Sequence, residues 1–272
     1  MKGDIIAVDL GGTNLRFGVV KKGKIIEYVK KSTPKKKEEL LKEFEDSIQE
    51  LLSKYKRIKG IGVSSPGPLL DGVIKNPPNL PLRNFDLKKF LEKKFKKRVE
   101  VENDAKCVAI AESKLGCKKK NFIIMTLGTG IGGGIIFNGE LYKGEGYAGE
   151  IGHIILDDGK DFETLWKDNR AKCKGEFGDN ILIKDLLKMK NEKAKQLLEE
   201  LCVYLGQGIG SLIDVFDPEI IVISGGVRET GNVFLSMIKK QVEKYTLIPR
   251  IPPIVWSKLD HPNLLGASLL IK

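Results

Sequence analysis

The sequence predicts an α/β protein made of two halves of similar build, each with a mixed sheet and flanking helices. Each half begins with two apolar strands joined by a glycine-rich turn, at residues 5–20 and again at residues 122–137. In both halves, at residues 38–55 and 192–216, apolar residues then recur every three or four positions. This is the spacing of an amphipathic helix. Strands that alternate with such helices favour a layered structure with the helices outside the sheet.

The remaining elements follow from the same periodicities. In the first half we predict strands at 5–9, 15–20, 25–30, 58–63 and 99–101. We predict helices there at 38–55, 87–95 and 105–115. In the second half we predict strands at 122–127, 131–137, 140–142, 219–224 and 254–256. We predict helices there at 180–188, 192–216, 233–245 and 264–271. Rigid loops that contain proline interrupt the first half at 64–68 and 76–81.

The charge of the chain does not indicate a nucleic-acid partner. The net charge is +11, but the lysines lie in separate runs mixed with glutamate, at 35–37, 93–97 and 118–120. Arginine, which recognises phosphates and bases better than lysine does, is scarce. We interpret the lysines as solvated surface charge and expect no nucleic-acid partner.

The chain has no sequence feature of a membrane or disulfide-bonded protein. No apolar segment approaches the ~18 to 20 residues that span a bilayer. The first apolar run is short and ends at the carboxylate of Asp9, which is typical of a strand and not of a signal peptide. The four cysteines, Cys107, Cys117, Cys173 and Cys202, are far apart and form no Cys-x-x-Cys pair. We therefore expect a cytoplasmic protein without a membrane partner.

The first glycine-rich turn carries Asp9, Gly11, Gly12, Thr13 and Asn14. Paired glycines bring backbone N–H groups close to an anion because no Cβ stands in the way. A carboxylate at a strand end, such as that of Asp9, suits Mg²⁺ held through water. An ordinary Gly-Gly hairpin turn has the same composition, so this stretch alone leaves both interpretations open.

The second glycine-rich turn carries Gly128, Thr129, Gly130 and Gly132. It is not a P-loop, because no Gly-Lys-Ser/Thr follows, and not a dinucleotide fingerprint, because a strand follows instead of a helix. So many glycines cost backbone entropy on folding, which favours the interpretation that a close approach to the backbone requires them. Two such hairpins, one opening each half, predict a pair of loops that bind the phosphates of a nucleotide.

A further pair of glycines, Gly225 and Gly226, follows the apolar strand at 219–224. Glycines at the carboxyl end of a strand let a flat ligand lie against the backbone. A plain strand-to-helix turn explains the pair equally well.

Polar residues at two places are candidates for the chemistry. Asn103 and Asp104 stand where a strand passes into a helix, so either can also be an N-cap. Glu150 and His153 lie three residues apart in a glycine-rich stretch without the His-Glu-x-x-His spacing of a zinc enzyme. A lone histidine is usually structural, but this stretch offers little side-chain packing that would require one.

In this order the motifs resemble those of the ROK (repressor, open reading frame, kinase) family, whose enzymes include bacterial and archaeal glucokinases. The resemblance covers essentially the whole chain and rests on residues 9–18, 65–67, 78–81, 102–105, 111–112, 127–134, 149–153 and 217–226. It implies the two-lobed actin-like ATPase fold, also called ribonuclease H-like. The small lobe would hold residues 1–104 plus 258–272, and the large lobe residues 105–257.

The resemblance also implies roles for individual residues. Asp104 would be the general base that takes the proton from the sugar's 6-hydroxyl. The sugar would be bound by Asn79, Asn103, Asp104, Glu150, His153 and Glu163. The nucleotide would be bound by the two phosphate loops and by Gly225 and Gly226, with Mg²⁺ at Asp9 through water.

The sequence departs from the family after His153. Many members have three cysteines there that bind a structural zinc together with this histidine. Residues 154–162 contain no cysteine, and Cys173 alone cannot complete a tetrahedral site, so we expect no zinc. Relatives without zinc include polyphosphate-using glucokinases, and the phosphoryl donor is therefore open between ATP and polyphosphate.

The resemblance implies an ATP- and Mg²⁺-dependent hexose kinase, with glucose as the first expected substrate. Two alternatives remain: a sugar kinase that uses polyphosphate or phosphorylates mannose, fructose or an N-acetylhexosamine, and a non-enzymatic sugar-sensing protein. Repressors of the family carry a DNA-binding segment before the first phosphate loop, and because Asp9 lies so near residue 1 we expect none here. Dimers are common among relatives, so we also expect a homodimer.

Overall fold

Strands and helices alternate along the chain. The computed structural model describes residues 3–77 and 79–272. The strands are β1 (Asp4–Leu10), β2 (Asn14–Lys21), β3 (Lys24–Ser32), β4 (Ile58–Ser65), β5 (Leu69–Leu70), β6 (Val73–Ile74), β7 (Phe85–Asp86), β8 (Arg98–Asn103), β9 (Phe122–Leu127), β10 (Ile131–Phe137), β11 (Glu140–Tyr142), β12 (Ile155–Asp157), β13 (Lys160–Asp161), β14 (Ile220–Ser224) and β15 (Ile254–Trp256). The helices are α1 (Lys37–Lys54), α2 (Leu87–Phe95), α3 (Asp104–Lys114), α4 (Phe162–Phe177), α5 (Ile183–Leu186), α6 (Glu192–Phe216), α7 (Gly231–Tyr245) and α8 (Pro262–Leu269).

The chain divides into two units. The first contains the described residues up to Lys118, together with Glu140–Ala148 and Leu259–Lys272. The second contains Lys119–Gly139 and Gly149–Lys258. Pro78, which belongs to a predicted sugar-side loop, lies outside the described residues.

The two units share one sheet plan. In the first, the strand order is β3-β2-β1-β4-β8, with β1 and β2 antiparallel and β4 and β8 parallel to β1. In the second, β10, β9, β14 and β15 lie side by side in that order, with β9 and β10 antiparallel and β14 and β15 parallel to β9. Both sheets are mixed, as predicted, and in both a glycine-rich turn joins the antiparallel pair.

Each sheet is covered by amphipathic helices. In the first unit α1 buries Leu40, Phe44 and Ile48 against the sheet, and the ring of Phe44 meets that of Phe17 edge-on at 5.9 Å between centroids. In the second unit α6 buries an apolar face together with α4 and α7. Burial of these side chains supplies most of the stability of such layers.

The last helix, α8, packs in the first unit against β1, β4 and α3. Two glycines allow its backbone to come close. A Cβ at Gly62 would lie 1.9 Å from the carbonyl oxygen of Ala267, and a Cβ at Gly266 would lie 1.8 Å from that of Cys107. Because α3 packs on α8, the described α3 belongs to the first unit, whereas we placed residues 105–257 together from the sequence.

Two helices of the second unit differ from the sequence-based expectations. The helix α4 (Phe162–Phe177) was not predicted, because its buried positions include the polar Asn169, whose side chain donates to the Leu197 carbonyl. The helix predicted at 180–188 is reduced to the single turn of α5. There Asp185 accepts from the N–H of Leu182 and fixes the start of the turn.

The packing of α8 gives a matched test on two helical glycines. We expect Gly266→Ala to lower the free energy of unfolding by about 1–3 kcal/mol, because the new Cβ forces the backbones of α8 and α3 apart. Gly175 of α4 has open space around its Cβ position, so Gly175→Ala should stabilise by about 0.5–1 kcal/mol through helix propensity. Urea denaturation of both variants measures the difference, and equal effects would contradict the close contact of α8.

Candidate functional site

The turn between β1 and β2 is held by residues that follow β3. The N–H of Gly11 donates to the carbonyl of Asn14 at 3.0 Å and closes the turn. The hydroxyl of Thr33 donates to the Gly11 carbonyl at 2.6 Å, and Nζ of Lys35 donates to the Gly12 carbonyl at 2.8 Å. With its carbonyls bound on one side, the turn can present N–H groups to an anion on the other.

Asp9 lies at the end of β1, where its carboxylate forms an ion pair with Arg16 at 2.8 Å. Burial raises the pKa of Asp9 above its usual value, although the Arg16 guanidinium and the Ser64 hydroxyl oppose the shift. A hard oxygen donor of this kind suits Mg²⁺. Because Oδ2 already accepts from Arg16, the arrangement fits contact with metal-bound water better than direct ligation.

The second glycine-rich turn is held by the unpredicted helix α4. Within the turn, the N–H of Gly128 donates to the Gly130 carbonyl at 3.0 Å. From α4, Oε2 of Glu163 accepts from the N–H of Ile131 at 2.7 Å, and Nε1 of Trp166 donates to the Gly128 carbonyl at 3.1 Å. Both phosphate-loop candidates are therefore anchored through backbone groups by side chains from another element.

The glycines of this region have two different reasons to be glycine. A Cβ at Gly130 would lie 2.0 Å from Oε2 of Glu163, and one at Gly133 would lie 2.5 Å from the Gly149 carbonyl oxygen. Gly133 is therefore required by packing against the backbone, whereas at Gly130 a Cβ would displace the end of the Glu163 side chain. At Gly128 and Gly226 no atom lies within 4 Å of a Cβ position, so these positions are open to a ligand.

Gly225 directly follows β14 and lies close to the backbone at the start of the second glycine-rich turn. It has a φ of 104°, and a Cβ there would lie 2.2 Å from the carbonyl oxygen of Leu127. The segment that follows is a short 3₁₀ helix, Gly226–Thr230. The candidate adenosine segment and the second turn are thus neighbours in the second unit.

Asn103 and Asp104 lie at the junction of β8 and α3. The side chain of Asn103 accepts from the N–H of Lys106 at 3.2 Å, so Asn103 is the N-cap of α3. Its amide also donates to the Gly67 carbonyl at 3.4 Å. Asp104 is the first residue of the helix and is half-buried, and its carboxylate accepts from the N–H of Ala105. The junction also receives Asn263 of α8, which donates to the Asp104 carbonyl at 3.5 Å.

Asn79 lies in the first unit, in the loop between β6 and β7. It is exposed and has a left-handed φ of 59°. Asparagine tolerates this conformation better than most residues do.

His153 is exposed, and its ring is oriented by a carboxylate. Its Nδ1 lies 2.8 Å from Oδ2 of Asp161, so Nε2 is the ring nitrogen that this pair leaves available for a second hydrogen bond. The same Asp161 caps α4 by accepting from the N–H of Thr164 at 2.7 Å. The structure thus adds Asp161, which the sequence pattern did not identify because α4 itself was not predicted. It also adds Thr33, Lys35 and Trp166, whose partners are distant in the chain. Glu150, three residues before His153, is also exposed.

The hydrogen bond that His153 donates to the Asp161 carboxylate raises the pKa of His153 above its usual value, against the opposing effect of burial. Burial acts to raise the pKa of Asp161, but hydrogen bonds from Thr164 and His153 outweigh it and lower that pKa. The pair therefore favours a protonated His153 beside an ionised Asp161.

The sequence pattern of the ROK family matches residues 5–178 and 159–272. This chain belongs to the ROK family. Its two mixed sheets match the actin-like ATPase fold of solved ROK structures, which confirms the predicted fold class.

The similarity to individual ROK proteins extends over nearly the whole chain. The chain is 30% identical to a glucokinase of Halalkalibacterium halodurans, over 90% of this chain and 87% of that protein. It is 26% identical to a xylose repressor of Caldicellulosiruptor bescii, over 99% of this chain and 78% of that protein. The crystal structure of a ROK family glucokinase from Streptomyces griseus, in complex with glucose and AMPPNP, has a TM-score of 0.82 and 27% identity over 99% of both chains. This ROK protein is glucokinase-like, and its similarity also extends to family repressors.

Neither a metal-binding cluster nor a membrane-spanning helix is found in the described part of this ROK protein. Within residues 3–77 and 79–272, no group of three or more His, Cys, Asp or Glu side chains is arranged to hold a metal ion. Among the same residues, none of the helices combines the length and apolar character needed to cross a bilayer.

The His153–Asp161 pair gives a test by titration. We expect Asp161→Asn to lower the pKa of His153 toward about 6.5, the value of an unperturbed histidine, because the charge is lost while asparagine still caps α4. Proton NMR of the ring resonances measures this, and His261 serves as an internal control. An unchanged pKa for His153 would contradict the observed pair.

The pair also makes stability depend on pH, with a defined sign. The contribution of His153 is complete below its unfolded-state pKa of about 6.5 and is lost as pH rises through its raised folded-state pKa. The contribution of Asp161 is complete above about pH 3.9 and is lost as pH falls through its lowered folded-state pKa.

Proposed function

We propose that this ROK protein is a kinase that transfers the γ-phosphate of ATP to the 6-hydroxyl of a hexose, with glucose as the first substrate. The observation that carries the proposal is the β8–α3 junction. Asn103 caps the helix, so capping gives no reason for the aspartate that follows it. A carboxylate in the first turn of a helix is stabilised by the helix dipole, and the place of Asp104 directly after the cap, half-buried at the end of β8, supports the role of general base.

In this mechanism Asp104 accepts the proton of the 6-hydroxyl while that oxygen bonds to the γ-phosphorus. The bond between the γ-phosphorus and the bridging oxygen breaks, and ADP leaves with the electron pair. Little covalent chemistry falls to the protein, because positioning and electrostatic stabilisation supply most of the rate.

The sugar ligands that we propose are Asn79, Asn103, Glu150, His153 and Glu163. Orientation of the His153 ring by Asp161 supports its part, since Nε2 then faces outward as a hydrogen-bonding group. Oε2 of Glu163 already accepts from the N–H of Ile131, so the carboxylate would accept a sugar hydroxyl as a further hydrogen-bond donor.

The nucleotide would bind through the two anchored turns. Gly11, Gly12, Thr13 and Asn14 form the first, and Gly128, Thr129, Gly130 and Gly132 form the second. Gly225 and Gly226 would lie against the adenosine. Mg²⁺ would supply charge neutralisation on the phosphates, with Asp9 holding one of its waters.

ATP is the proposed donor because the turn at Gly225 and Gly226 adjoins the second phosphate loop and offers open space at Gly226. Polyphosphate would leave this segment without a ligand. The relative from Streptomyces griseus binds glucose and AMPPNP, which supports the same pair of ligands here. We further propose a cytoplasmic homodimer that binds no zinc, nucleic acid or membrane.

A kinase assay across acceptors and donors tests the function. We expect transfer from ATP to glucose, weaker transfer to mannose, fructose or N-acetylhexosamines, and little transfer from ADP or polyphosphate. Chelation with EDTA should abolish activity, and Mg²⁺ without zinc should restore it, because the phosphate charge then finds its counter-ion again. Absence of transfer to every hexose would favour a sugar-sensing protein instead.

The general base is tested by Asp104→Asn. This change keeps the shape of the side chain and leaves the Asn103 cap in place, but it removes the basic lone pair. We expect kcat to fall by about 10²- to 10⁴-fold, with little change in sugar affinity, which calorimetry measures separately. Turnover within a few-fold of the wild type would show that another group is the base.

A further inference from the structure

Two lysines attach a short turn to the junction that carries Asp104. Residues 143–148, here called the 143–148 turn, belong to the first unit. Lys143 forms an ion pair with Glu102 of β8. From α3, Nζ of Lys106 donates to the carbonyl of Gly146 at 2.5 Å.

The 143–148 turn is closed by its own backbone. The N–H groups of Gly146 and Ala148 both donate to the Lys143 carbonyl, at 2.8 and 3.0 Å. Gly146 has a φ of 118°, and a Cβ there would lie 2.7 Å from Cδ1 of Leu70. A turn with this internal bonding moves as one piece, so its two attachments fix the whole of it.

The burial of Lys106 needs an explanation other than stability. Its exposure is 2%, and that of Glu102 is 5%. Taking an ammonium group out of water is costly, and apolar residues of similar size often replace buried charges without loss of stability. A lysine at this position donates to the Gly146 carbonyl, which an apolar residue could not do.

We propose that Lys106 is a positioning residue for the acceptor sugar. The proposal rests on the proposed function, in which Glu150 binds the sugar and Asp104 takes its proton. Lys106 lies two residues after Asp104 on the same helix, and Glu150 follows Gly146 by four residues. Through the 143–148 turn, Lys106 limits the freedom of the chain segment that leads to Glu150.

The test is Lys106→Met, which keeps the aliphatic stem and removes the donor. A small displacement of a positioning group can cost up to about 10²-fold. We therefore expect the dissociation constant and the KM for the hexose to rise by about 10- to 100-fold. The KM for ATP and the slow hydrolysis of ATP without sugar should stay within about two-fold, because the residues of the two phosphate loops lie outside the 143–148 turn.

Lys114→Met is the matched control. Lys114 lies on the same helix and pairs with Glu140 of β11 at 3.2 Å, but both side chains are exposed. An exposed pair contributes little, so both constants should stay within about two-fold. Hydrogen exchange of residues 143–148 should become faster in Lys106→Met and remain unchanged in Lys114→Met.

A second variant keeps the proposal testable if Lys106→Met does not fold. Lys143→Met combined with Glu102→Gln releases the other attachment without leaving a buried carboxylate unpaired. It should raise the hexose constant selectively as well. Loss of folding in both variants, checked by circular dichroism, would make the attachments structural and would overturn the proposal.

The remaining outcomes separate the two hypotheses. A folded Lys106→Met with unchanged constants, or with equal changes for hexose and ATP, would contradict the positioning role while the kinase function stood. If the wild-type protein transfers phosphate to no hexose, the proposed function is wrong. Hydrogen exchange then still decides whether Lys106 fixes the turn.

Discussion

Hydrogen bonds from side chains to the carbonyl groups of glycine-rich turns are the constraint on which the candidate site depends. A glycine turn by itself is mobile, because glycine has more backbone freedom than any other residue. In the first unit Thr33 and Lys35 hold two carbonyls of the β1–β2 turn. In the second, Trp166 holds the Gly128 carbonyl of the β9–β10 turn. With the carbonyls fixed, the N–H groups of each turn have a defined direction, which is the preorganisation that the proposed binding of phosphates would need.

The shared sheet plan explains why both turns exist. In each unit an antiparallel hairpin is followed by two strands parallel to its first strand. The carboxyl ends of parallel strands lie at one edge of a sheet, where ligands bind in open α/β sheets. Asp9 and Ser64 are register partners at this edge in the first unit, as are Ser224 and Thr126 in the second. One topology, used twice, thus places a polar edge beside each glycine-rich turn.

The local signals in the sequence predicted most of the fold and fewer of the contacts. The hairpins and α6 were evident because their apolar periodicity is strong, and several of their bounds agree with the structure. The helix α4 was missed because its buried Asn169 breaks the apolar pattern. The anchors Thr33, Lys35 and Trp166 could not be predicted, because each acts on a group that only tertiary packing brings near. The site residues themselves came from motif order, and their roles stay predictions.

The buried charged side chains around the β8–α3 junction bond to backbone groups, as the side chains that anchor the glycine-rich turns do. Glu102, Lys106 and Glu112 are all nearly inaccessible, although buried charges rarely add stability. Each one is bonded to the backbone: Glu102 accepts from the N–H of Asn103, Lys106 donates to Gly146, and Glu112 accepts from the N–H of Cys117. A charged group forms stronger and more directional bonds to backbone groups than a neutral one does. These residues therefore hold the backbone on both sides of Asp104 in place, at a cost in desolvation that an apolar core would not carry.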